Sequence, residues 1–175
     1  MKRKAFTLIE LMISISILSI MMIFLYQSYA SLNRSNSFYK KAVEEIISKD
    51  RVKKIIFLDF SLALYKSTKI LNQEKNEDVV FIQSSHSLHR NYNPYIAYIM
   101  KNSKLYRLES LKPFKDYPLS SDAVFTVDIL GEIKGFRVYK STKKIKSTIP
   151  EIHLVHINFK KGDDILVKIK VLNEY

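Results

Sequence analysis

The sequence predicts an α+β fold, in which one long N-terminal helix is followed by an antiparallel β-sheet. Three observations predict it. Residues 6–25 read FTLIELMISISILSIMMIFL, an almost unbroken apolar run. Residues 29–67 contain no Gly or Pro and repeat apolar residues at helical spacing. After the polar stretch NQEKNED at 72–78 the character changes to short runs rich in β-branched and aromatic residues.

The apolar run is the first element. At 1.5 Å per residue its length is about 30 Å, one hydrocarbon core. Apolar residues surround the whole helix, which suits lipid or a buried bundle rather than a half-exposed surface. Lys2, Arg3 and Lys4 precede it, and the positive-inside rule keeps them cytoplasmic and sends the remainder across the membrane. Ser14, Ser16 and Ser19 are small and bond carbonyls one turn back, which permits close helix contacts.

Glu10 breaks the pattern. A carboxylate in mid-bilayer costs about 2.5–3.5 kcal/mol on insertion scales and marks a function. No cation lies among residues 6–33 to pair with it. A secretory signal peptide needs a small-residue cleavage site, which Ser28-Tyr29-Ala30 fits poorly, and a plain signal anchor leaves Glu10 unexplained. A cut between Ala5 and Phe6 supplies a partner: the new α-amine has an ordinary pKa of about 8 and is mostly cationic near neutrality. Glu10 of a neighbouring subunit, shifted along the helix axis, pairs with that amine. Such a pair sets the axial stagger, as a buried polar group sets register.

KRKAFTLIEL, residues 2–11, resembles the class III leader of type IV pilins and of the pseudopilins of type II secretion. That pattern is a short basic leader, a small residue, then Phe-Thr-Leu-Ile-Glu opening a long apolar helix. The resemblance implies a pilin-like fold, cleavage by prepilin peptidase between Ala5 and Phe6, N-methylation of Phe6, and a role for Glu10 in assembly. Ala5 stands where Gly is commonest. Gln27 stands near where many major pilins carry a helix-bending Pro, so a straighter helix is expected. The expected domains are a cleaved leader (1–5), a transmembrane and assembly helix (6–28) and a periplasmic α+β head (29–175).

Beyond the membrane, Val43, Ile46, Ile47, Val52, Ile55 and Ile56 continue the helical period, with Glu45 and Lys49 in the favourable i, i+4 order. A bend is expected near Ser35-Asn36-Ser37. Residues 72–78 form a polar loop. Strands are expected at 79–83, 96–100, 104–108, 124–130, 133–139, 152–159 and 165–172. In the last, Ile165, Val167, Ile169 and Val171 mark one buried face. Lys161-Gly162-Asp163-Asp164 turns the last two strands into a hairpin. The helix is then the spine that covers one face of the sheet. The head is similar to the J-type minor pseudopilin in Val79-Val80-Phe81-Ile82, Asn93-Pro94, Tyr98-Ile99-Met100 and Leu105-Tyr106-Arg107. Gly135-Phe136-Arg137-Val138-Tyr139 and Ile149-Pro150-Glu151-Ile152 add to that likeness. Energetically, Tyr98 reads as a core aromatic and Arg107 as a surface cation.

Composition narrows the chemistry. The chain has no Cys, so it has no disulfide framework and no thiolate metal site. It has three Gly and no G-x-G-x-x-G or Walker pattern. His86 and His89 have no carboxylate or Cys nearby in sequence and read as a solvated loop. His153 and His156 are three apart in a strand and therefore face opposite sides. Asp163 and Asp164 are turn residues. No enzyme activity, cofactor or metal is expected.

The net charge of +12 is the remaining feature. A basic soluble surface accounts for it, yet clustered lysines also meet DNA phosphates, and Tyr92, Tyr95 and Tyr139 suit stacking on single strands. Two functions follow. One is a minor pseudopilin, a structural subunit that initiates or caps a periplasmic pseudopilus for type II secretion, with other pseudopilins or pilins as partners. The other is a minor pilin of a type IV or competence pilus whose head binds nucleic acid through Lys140, Lys143, Lys144 and Lys146. Both place the chain in the bacterial inner membrane with a single pass, a cytoplasmic N-terminus and a periplasmic head.

Overall fold

The computed structural model describes residues 7–64, 66–72, 76–141 and 151–172. It contains a helix, α1 (Leu8–Ser61), and seven strands: β1 (Lys69–Asn72), β2 (Asp78–Gln83), β3 (Tyr95–Lys101), β4 (Lys104–Ser110), β5 (Thr126–Lys140), β6 (Ile152–Phe159) and β7 (Ile165–Lys170). The chain divides into two compact units, Met1–Ser48 and Lys49–Tyr175.

The described part of the first unit is helix. Its most apolar 18-residue window has a mean hydropathy of 2.5 and no buried residue, so α1 is long and apolar enough to cross a membrane. The hydroxyls of Ser14, Ser16 and Ser19 donate to the carbonyls of Glu10, Met12 and Ile15 at 2.8, 2.9 and 2.8 Å. The helix passes through Ser35-Asn36-Ser37 without interruption. Ser and Asn cost a helix only a few tenths of a kcal/mol (up to about 0.7) each, too little to break it.

In the second unit the last turns of α1 lie against the sheet. Val52, Ile56 and Phe60 follow one another at i, i+4 and i+8 and are all buried. Each contributes about 1.5–3 kcal/mol by leaving water. The helix ends at Ser61, earlier than the Gly- and Pro-free stretch implies, because tertiary donors take over its last carbonyls. Leu172 N–H donates to Ser61 O at 2.8 Å, and Ser85 N–H donates to Leu62 O at 3.0 Å.

The strands follow sequence order, β1 to β7, and every neighbouring pair is antiparallel. The sheet curls until Glu77, just before β2, bridges to Phe136 in β5. Gly135 lies at that closure, where an added Cβ would come within 3.1 Å of the Asn76 Cβ. The inner face packs Val80, Ile82, Ile96, Leu105, Phe136 and Ile157 against the helix residues. The outer face of β2, β3 and β4 carries Val79, Phe81, Ala97, Ile99 and Leu108, covered by Phe114, Tyr117, Leu119 and Phe125. Cover on both faces explains why β2 and β3 read as continuous apolar runs rather than alternating ones.

Two expected strands, 124–130 and 133–139, are one 15-residue strand, β5. It changes partners midway: residues 126–132 pair with β4 and 133–140 with β6. A register shift and Gly131, at φ +152°, mark the change. Gly tolerates that backbone where a side chain would strain it. β1 was not among the expected strands. The β6–β7 hairpin and its alternating burial are as expected.

Candidate functional site

Of the predicted assembly residues, Ala5 and Phe6 lie outside the described residues. Glu10 is described, and it is not without a partner in its own chain. Thr7 N–H and Thr7 Oγ1 both donate to Glu10 Oε2 at 2.9 Å, and Glu10 N–H reaches Thr7 Oγ1 at 3.4 Å. This is a capping box: Thr7 caps the helix and the residue three positions on reaches back to it. The T-x-x-E spacing before an apolar run is a sequence signal for that motif, and the charge argument alone overlooks it. The box satisfies free N–H groups at the start of α1 while leaving Glu10 exposed.

A second cluster of charged groups lies inside the Lys49–Tyr175 unit. Sheet register sets Val80, Tyr98, Arg107 and Asp128 in one row across β2 to β5. The inner face of that row meets α1. Asp59 sits there because it follows Ile55 and Ile56 by one turn, on the apolar side of the helix. Its Oδ2 accepts from Arg107 Nε at 2.7 Å and from the Tyr98 hydroxyl. Its Oδ1 accepts from Arg107 Nη2 at 3.2 Å and meets His86 Nδ1 at 2.5 Å. This is a fork-to-fork guanidinium–carboxylate pair, the strongest geometry of its kind.

The pair extends into the loop between β2 and β3. Arg107 Nη1 donates to Glu109 Oε2 at 2.7 Å. Glu109 also accepts from Ser87 Oγ, Asn91 Nδ2 and Leu88 N–H at 2.5, 2.8 and 3.1 Å. His89 Nε2 lies 3.0 Å from Asp128 Oδ2. Asp59, Tyr98 and Arg107 are fully buried.

Burial opposes the charge on Arg107, but the bonds and charge of Asp59 outweigh it and hold the guanidinium's pKa above its ordinary value. Burial likewise pushes the Glu109 carboxyl up, yet the bonds from Ser87, Arg107, Asn91 and Leu88 bring it below the ordinary range. Burial first, and then the negative charge of Asp59, drive Tyr98 well above the ordinary phenol value.

These contacts correct two expectations. Arg107 is a buried ion-pair centre and not a surface cation. His86 and His89 each stand against a carboxylate, supplied from distant sequence. The cluster ties the end of α1, the β2–β3 loop and three strands together. Its bonds join carboxylates, guanidinium, phenol and imidazoles to one another, which is the chemistry of a clamp.

The lysines proposed for DNA contact are not assembled into a described patch. Lys140 forms an ion pair with Glu151. Lys143, Lys144 and Lys146 lie outside the described residues. Tyr92 and Tyr139 are exposed, and Tyr95 is half-buried. His153 and His156 face opposite sides of β6, as expected. His153 is fully buried and neither ring nitrogen has a hydrogen-bond partner among the described residues. Burial depresses its pKa; Glu151 opposes that shift and Lys140 adds to it. His156 meets Asp164 at 3.1 Å.

A protein family described as the prokaryotic N-terminal methylation motif matches residues 1–26. The chain carries the N-terminal signature of the type IV pilin-like family. That motif implies processing by prepilin peptidase and assembly with other pilin-like subunits. The apolar helix that it opens is compatible with the membrane anchoring typical of pilins. The long helix followed by a curled antiparallel sheet is the pilin-like α+β architecture. No curated protein and no solved structure matches the chain.

Proposed function

We propose that this pilin-like chain is a minor pseudopilin, a structural subunit that initiates or caps a periplasmic pseudopilus for type II secretion, and that its head is of the J type. One observation carries the reading: the methylation motif opens directly into a 54-residue helix with Glu10 near its start. The mature chain begins at N-methylated Phe6, spans the inner membrane once and exposes its head to the periplasm. Glu10 exchanges part of its bonding to Thr7 for the Phe6 amine of an adjacent subunit. Its role is non-catalytic. A DNA-binding pilus subunit is the alternative, and the Lys140–Glu151 pair weighs against it.

Processing and assembly are tested separately. Mass spectrometry of membrane extracts should find a mature chain starting at methylated Phe6; an intact leader in a strain with active prepilin peptidase would refute the processing step. Glu10→Val should insert into the membrane at least as well as the wild type, because a buried charge is removed. It should copurify poorly with partner pseudopilins, because the neighbour's amine loses its counter-ion. Normal incorporation of that variant would show that Glu10 has another purpose.

A further inference from the structure

We draw no further inference here: the strongest candidate, the unpaired edge of β5 at residues 126–131 with the apolar cavity of about 580 Å³ beside it, carries nothing, because Lys101, Lys104 and Glu132 set charges of both signs at its end and nothing among the described residues shows what covers it.

Discussion

Arg107 keeps its charge in a dry interior because Asp59 and Glu109 stand beside it. Breaking such a pair by removing one member leaves an uncompensated buried charge, at about 3–5 kcal/mol. Arg107→Met should therefore lower the stability of the Lys49–Tyr175 unit by about that amount, read from the urea midpoint of the full chain. Adding Asp59→Leu should recover part of the loss, because the double variant buries fewer orphaned charges. A double variant that loses the sum of the two single-variant losses would show that the two side chains are not coupled.

His153 makes a pH prediction. Its buried ring has a depressed pKa, while the unfolded chain has the ordinary value of about 6.5. As pH falls below about 6.5, the unfolded chain takes up a proton that the folded chain refuses, so stability drops. Above that value the residue adds no slope. His153→Leu should abolish this contribution, so the variant should gain stability relative to the wild type as pH falls from about 7.5 to about 5. A constant gap would show that His153 does not titrate between those limits.

At the scale of elements, β5 is a 15-residue strand shared between two partners. Its halves serve different neighbours, and Gly131 sits at the change. Gly131→Val should strain a backbone that only Gly adopts easily, at about 1–3 kcal/mol, and an unchanged urea midpoint would contradict that. This strand also shows what sequence conveys. Runs 124–130 and 133–139 are both strand-forming, and the Gly between them reads as a turn because nothing local announces a change of partner. β1 has four residues and too little period to stand out from a loop. The hairpin of β6 and β7 was legible because alternation and a Gly-Asp turn agree.

The N-terminal site was legible because its residues are contiguous. The Asp59–Arg107 clamp was not, because its members are 48 positions apart in sequence. Two clues were present all the same. Asp59 shares a helix face with Ile55, Ile56 and Phe60. Arg107 alternates with Leu105 in a strand, on the side opposite Tyr106. A charge on each apolar face, of opposite sign, is the pattern of a buried pair.

At the scale of the whole molecule, the charge of +12 is the property most easily mistaken for a function. Any strongly basic chain attracts DNA at low salt, because neutralised phosphates release counter-ions. A dedicated site needs cations held ready for phosphates, and Lys140 is instead held by Glu151. The full chain in neutral-lipid nanodiscs should therefore retain labelled DNA at low salt and lose it at about 0.15 M, where the Debye length is about 8 Å. Replacing Lys140, Lys143, Lys144 and Lys146 together should leave the slope of log affinity against log salt nearly unchanged, because the attraction is shared among 29 basic residues. If binding instead stays tight at about 0.15 M salt and those four replacements abolish it, the lysines form a site. The DNA-uptake reading would then displace the secretion one.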